Sequence, residues 1–285
     1  MSLLVLLPCY NEEKHLEKTL ACLKGQTLKG FTCLVSDNHS TDRTWDILQD
    51  LARSDDRFHI ARNEENIGGQ RNIASLIRRS RDHAAGKYAM IFAGHDLISD
   101  SYLERCVNFF ESDTEKKYSM VGGRMHWMSP DDQPIKEIED AYYEFYLKTG
   151  LDAFIESTIR LANCTILNSV VRKELLHDLD FESWPLMRSF DHIMISYFCS
   201  KGFIFLEENE RYLRRVEASR PEGYLNRLAG KTDLGFPTLQ RNFFDYYLRV
   251  FESRFPDMLA AERSYYSTKI FEVLGKRFGF PAYQG

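Results

Sequence analysis

Five short polar clusters stand out in this chain, each closing an apolar run or opening a helical pattern. They are Pro8-Cys9-Tyr10-Asn11-Glu12, Ser36-Asp37-Asn38-His39-Ser40-Thr41-Asp42, Asn66-Ile67-Gly68-Gly69-Gln70-Arg71-Asn72, Ala93-Gly94-His95-Asp96 and Phe190-Asp191-His192. Pro8, Tyr10 and Glu12 offer a flat wall and hydrogen-bonding groups suited to the edge of a uracil-like base. The Asp37 carboxylate can accept from a base N–H or a ribose hydroxyl. With Ser40, Thr41 and Asp42 it also has the composition of a turn and helix cap. Gly68 and Gly69 permit close backbone approach. Arg71 with Asn72 then opens a helix, where the helix N-terminus and a guanidinium both favour anionic groups such as phosphate. Arg78, Arg79 and Arg81, farther along, read as a solvated face.

These clusters can cooperate only if the backbone brings them to one edge. Leu3–Leu7 reads as a strand buried on both faces. Asn11 is placed to cap the next helix, with Leu16, Leu20 and Leu23 as its inward stripe. Phe31–Ser36 reads as a second strand, followed by a helix carrying Trp45, Leu48, Leu51 and Ala52. Phe58–Ala61 is a third strand, and Ile73, Leu76, Ile77 and Ala84 line the helix after it. Gly86-Lys87-Tyr88 turns into a fourth strand, Ala89–Phe92. This alternation predicts a doubly wound, mostly parallel α/β layer structure, in which ends of neighbouring strands share a crevice.

Beyond Phe110 the pattern changes. Ser119–Met128 is strand-like, Ile138–Gly150 helical and Ala162–Val170 strand-like. Ser189–Ser200 is helical, Phe203–Leu206 strand-like, and the chain from about Pro221 onward reads as aromatic-rich helix. The expected organisation is a catalytic-type domain over 1–220, with a nucleotide-binding half (1–105) and an acceptor half (106–220), and a helical extension over 221–285.

Composition narrows the function. A net charge of −5 argues against nucleic acid as the main partner. The longest uninterrupted apolar run, Leu3–Leu7, is far shorter than the roughly 20 residues that cross a bilayer. No basic leader region precedes it, so a signal peptide is not expected. Cys9, Cys22, Cys33, Cys106, Cys164 and Cys199 are scattered without a paired motif, as reduced core thiols in a cytoplasmic setting would be. A position at the inner face of the membrane also suits the chain, through peripheral contact of the C-terminal aromatics. Those aromatics can equally be core or homo-oligomer contacts.

The order and spacing of the five clusters, with Lys201-Gly202-Phe203 after the last, resembles the family-2 glycosyltransferases over roughly residues 3 to 215. The resemblance implies a GT-A fold and an inverting hexosyltransferase-type reaction in polysaccharide biosynthesis. A sugar would pass from a nucleotide-diphosphate donor, UDP-linked by expectation, to a saccharide or lipid-linked acceptor. It implies nucleotide-sugar binding by Pro8, Tyr10, Glu12, Asp37, Asn66, Arg71 and Asn72, with Asp191 as the general base. It also implies a divalent metal, manganese or magnesium, at the fourth cluster. There the family's Asp-x-Asp is replaced by Ala93-Gly94-His95, leaving His95 and Asp96 as ligands. An imidazole suits manganese better than magnesium. Three other readings stay open at this cluster: a metal-free hydrogen bond from His95 to the leaving phosphate, Asp96 as a helix cap, and a non-catalytic nucleotide-sugar-binding protein. A nucleotidyltransferase is a further alternative, although no basic glycine-rich signature supports it. Arg214 and Arg215 alternate along a strand, so at most one would face the site. Trp127 and Trp184 are candidates for stacking on acceptor sugars or for core packing.

Overall fold

The computed structural model describes residues 3–83, 86–135, 144–159, 168–187, 189–216 and 236–278. The run Leu-Leu-Val-Leu-Leu builds the centre of the molecule as strand β1 (Leu3–Cys9). Leu4 and Leu6 point into one core; Leu3, Val5 and Leu7 point into a second core on the opposite face. A strand apolar at every position is stable only when both faces are covered, and here they are.

β1 lies between β2 (Phe31–Asp37) and β4 (Tyr88–Ile91), parallel to both, and β2 pairs in parallel with β3 (Phe58–Arg62). Register places Cys9 opposite Asp37 and Asp37 opposite Arg62, so the polar clusters come out at one edge. The full order among described residues is β3-β2-β1-β4-β7-β6-β8-β5. The second half mixes directions: β7 (Val170–Arg172) runs antiparallel to β4 and β6 (Tyr118–Met128). β6 is parallel to β8 (Phe203–Arg215), and β8 is antiparallel to β5 (Leu97–Ile98).

Helices α1 (Leu16–Gly25), α2 (Thr44–Ser54) and α4 (Tyr102–Ser112) cover one face, and their buried residues follow helical spacing. The other face is covered by α3 (Gly69–Asp82), α5 (Gly150–Ile159), α6 (Lys173–Asp178) and α7 (Phe190–Lys201). α7 is buried nearly all round, as expected of a helix apolar on every side. Two C-terminal helices, α8 (Phe236–Arg254) and α9 (Ala260–Phe278), close that core. Tyr247, Phe251 and Phe255 pack on Phe154 of α5, and the Arg254 guanidinium donates to the Ser200 carbonyl at the C-terminal end of α7 (3.1 Å). The aromatic stripe read as core, oligomer or membrane contact is thus largely core.

Several expectations need revision. Asn11 does not cap α1: it sits at φ 54°, and the Glu12 carbonyl accepts the His15 and Leu16 amides instead. The strand expected at Phe203–Leu206 continues to Arg215, with a register irregularity opposite Gly123 and Arg124. The expected helix at 138–150 and strand at 162–170 fall partly, and the boundary at 220/221 wholly, outside the described residues. Of the first, 144–147 form a short 3-10 turn; of the second, Val170 opens β7.

The irregularity makes Gly123 critical, because a Cβ there would meet the Glu210 carbonyl oxygen at 2.5 Å. Backbone on the neighbouring strand cannot yield as a flexible side chain can. Gly123→Ala is expected to cost about 2–3 kcal/mol, read as a lower urea midpoint at unchanged slope.

Candidate active site

The loops after β1 and β2 are laced together by side chains that accept from backbone. The Ser40 hydroxyl accepts the Asn11 amide (2.9 Å), Thr44 Oγ1 accepts the Glu12 amide (2.7 Å) and Asn11 Oδ1 accepts the Thr41 amide (2.9 Å). Asp42 Oδ2 accepts the Glu13 amide and its Oδ1 the Thr44 amide (3.1 and 2.9 Å). Asp37, at the end of β2, has no exposed surface. It accepts the Ser40 amide and hydroxyl and pairs with the Arg62 guanidinium at 3.0 Å. Arg62 in turn lies over the Trp45 ring and donates to the Ser40 carbonyl (2.7 Å). In this geometry Asp37 forms the turn after β2. It shapes the wall of the crevice from beneath, while Pro8, Tyr10 and Glu12 lie half-buried at the rim.

Asn66 and Asn72 belong to a frame of four asparagines. Asn38 donates to Asn66 Oδ1 (2.8 Å), and Asn63 donates to Asn38 Oδ1 (2.9 Å) and Asn72 Oδ1 (3.1 Å). Ser36 donates to Asn72 Oδ1 (2.6 Å). The same oxygens on Asn38 and Asn66 accept the Ile67 and Gly68 amides. This fixes the approach to α3, where Gly68 adopts φ 84°, a conformation that favours glycine. Arg71 follows in the first turn, exposed and without an ion-pair partner among the described residues. Asn38 and Asn63 were missed in the sequence, though repeated asparagines at strand ends were the available signal.

At the end of β4, His95 Nδ1 lies 3.0 Å from Glu12 Oε1. Asp96 is turned inward and 2% exposed: Tyr212 donates its hydroxyl to Oδ2 (2.6 Å) and the Arg215 amide donates to Oδ1 (2.8 Å). Burial, then the Asp96 charge, pushes the Tyr212 phenol well up, so it stays a donor. The buried Arg215 guanidinium donates to the carbonyls of His95 (2.9 Å), Ser129 (3.2 Å) and Pro130 (2.9 Å), and pairs with Asp132. Asp132 also binds Lys18, which with Arg215 holds its carboxyl below the usual range against the opposing effect of burial. Burial, then the Arg215 charge, lowers the His15 imidazole beside this group.

A divalent cation held by His95 and Asp96 does not fit this arrangement. The Asp96 oxygens already accept from Tyr212 and the Arg215 amide, with His95 Nε2 3.9 Å from Oδ1, and Asp96 caps no described helix. Glu12 is engaged by His95, and the Cys9 thiol is buried and pushed far up. A Cβ on Gly94 would lie 3.1 Å from the Glu12 side chain and 3.3 Å from the Cys9 sulfur, so either neighbour would have to give way for a larger residue there. Among the described residues no three His, Cys, Asp or Glu side chains gather as a cation site.

Gln70 ties the segment leading to Asp191 to α3. In the first turn of α3, Gln70 donates to the Pro185 carbonyl and accepts the Met187 amide, both at 2.9 Å. The N-terminus of α7 is therefore tethered beside that of α3. Ser189, at φ 60°, turns the chain into α7, and Asp191 sits half-buried in its first turn with no hydrogen-bond or ion-pair partner among the described residues. Trp184 lies in the core against Phe181 and Tyr246, whereas Trp127 is half-buried with Arg214 over its ring. Arg215 points in and Arg214 does not, as alternation required.

Strand ends, α3 and α7 converging on one edge of a mixed sheet define a GT-A-type fold. The crystal structure of S. aureus TarS 1-349 in complex with UDP-GlcNAc matches it with a TM-score of 0.67 at 15% identity, over 97% of this chain and 73% of that one. The glycosyl transferase family 2 model matches residues 4–179, and the chain belongs to that family. The putative teichuronic acid biosynthesis glycosyltransferase TuaG of Bacillus subtilis is 30% identical over 105 residues, 37% of this chain and 40% of that protein. A Campylobacter jejuni GalNAc(5)-diNAcBac-PP-undecaprenol beta-1,3-glucosyltransferase is 28% identical over 94 residues, 33% of this chain and 29% of that protein. The chain thus spans less than half the length of each of these two relatives. No helix among the described residues is long and apolar enough to cross a membrane.

Proposed function

We propose that this protein transfers a sugar, with inversion, from a nucleoside-diphosphate donor to a hydroxyl of a saccharide or lipid-linked acceptor. The observation that carries the reading is the Gln70 tether, which joins the first turn of α3, where Arg71 lies, to the segment entering α7, where Asp191 lies; neither side chain has an ion-pair partner among the described residues. An anionic leaving group on one side and a hydroxyl to be deprotonated on the other need that pair of charges. UDP is the favoured nucleotide because TarS is a structural neighbour crystallised with UDP-GlcNAc. The lipid-linked alternative for the acceptor follows the Campylobacter relative's undecaprenol-linked saccharide.

In this reading Pro8, Tyr10 and Glu12 border the base, with Asp37, Asn66 and Asn72 holding the walls in shape. The α3 amides and Arg71 receive the diphosphate. Asp191 removes the acceptor proton as its oxygen forms the new bond to the anomeric carbon. The bond from that carbon to the diphosphate oxygen breaks on the opposite face, and the nucleoside diphosphate leaves with the electron pair. The test is incubation of the full chain with UDP-sugars and saccharide or polyprenyl-linked acceptors. UDP release and product of inverted anomeric configuration are expected, and binding without release under any pairing would leave a non-catalytic nucleotide-sugar-binding protein.

A further inference from the structure

We propose that the nucleotide diphosphate is held here without a divalent cation, its charge being met by Arg71 and the first-turn amides of α3. The inference rests on the donor reading above and concerns only how the diphosphate is balanced. A site prepared for a cation presents uncompensated carboxylates, because several oxygen ligands must be free to close on the metal. This edge presents the opposite. Glu12 is matched by His95, Asp96 by Tyr212 and the Arg215 amide, Asp132 by Lys18 and Arg215, and Asp37 by Ser40 and Arg62. Asp42 is taken up by the Glu13 and Thr44 amides. Asp191 on the acceptor side is an exception, as are the exposed Glu64 and Glu65 in the loop before α3, none with an ion-pair partner among the described residues.

The geometry of the turn argues against rearrangement. Asp96 could reach a cation only by releasing Tyr212 and the β8 backbone together, and Arg215 holds the His95 carbonyl from the same side. At Ala93 and Gly94, where two ligand-bearing residues could have stood, the chain offers a methyl group and a bare backbone. Arg71 is exposed, with no ion-pair partner among the described residues, in the first turn of a 14-residue helix whose entry the asparagine frame fixes. A guanidinium engages two phosphate oxygens at once, and the open amides of the turn add to it.

The test is calorimetric titration of the full chain with UDP, and in parallel GDP, once in manganese chloride and once in EDTA. The dissociation constants in the two media are expected to agree within about threefold. Arg71→Ala, on an exposed side chain, should weaken binding about tenfold or more in both media at unchanged melting temperature. Weakening beyond about threefold in EDTA that manganese restores would overturn the cation-free arrangement and leave the donor reading intact. Unaltered affinity in Arg71→Ala would overturn the assignment of the charge to that residue. Absence of binding by either nucleotide in both media would instead sink the donor reading itself.

Discussion

Asp191→Asn is expected to lower the rate of sugar transfer about 10²–10⁴-fold while leaving the affinity for the nucleotide donor unchanged. The exchange keeps size and hydrogen-bonding capacity but removes the basic lone pair. Since Asp191 has no partner among the described residues, it breaks no contact that holds α7 in place. The measurement pairs initial rates of UDP release in the presence of acceptor with calorimetric donor titration. A variant that turns over at the normal rate would remove Asp191 from the chemistry. One that loses donor binding would instead make the residue part of the donor pocket.

The second large effect concerns Arg215, which works from below the site. Replacing it by methionine preserves much of the apolar stem but strips donors from the carbonyls of His95, Ser129 and Pro130 and leaves Asp132 to Lys18 alone. A side chain with no exposure and these partners should cost about 3 kcal/mol. For a chain of this size that lowers the melting temperature by roughly 5–10 °C. Its Nη2 atom is buried without a hydrogen bond, which keeps the cost from being larger. Scanning calorimetry of Arg215→Met and Arg215→Lys checks this, with lysine recovering part of the loss through its charge. A change under about 2 °C in the methionine variant would show that the turn at His95 stands without the bracket.

The first half of the fold was legible because its signals are local. Unbroken apolar runs alternating with helical stripes can form only buried parallel strands and covering helices, and the structure has them from Leu3 to Ile91. The second half was harder for a physical reason. β6 and β8 owe their length to pairing with each other across some 80 residues of sequence, so no window of either strand announces it. The edge where the clusters meet follows from strand direction alone, and the proximity of Glu12 to His95 follows with it. The inward turn of Asp96 does not. It depends on Tyr212 and Arg215, far along the chain, and a helix-cap or ligand reading of the same aspartate is equally consistent with its neighbours. The roles of Asp37 and Arg62 were hidden likewise, since a cross-strand pair needs the register of β2 on β3 before it can be seen.

The asparagine frame under the donor crevice has a consequence for how the protein meets changing surroundings. Its four amides and the Ser36 hydroxyl carry no net charge and have no proton to exchange in the ordinary working range. Neither acidification nor added salt, which screens exposed ions within about 10 Å at 0.1 M, acts on bonds of that kind. The scaffold that aims the helix entrance should thus hold its shape through shifts of ionic strength that weaken the grip of a lone guanidinium on its ligand.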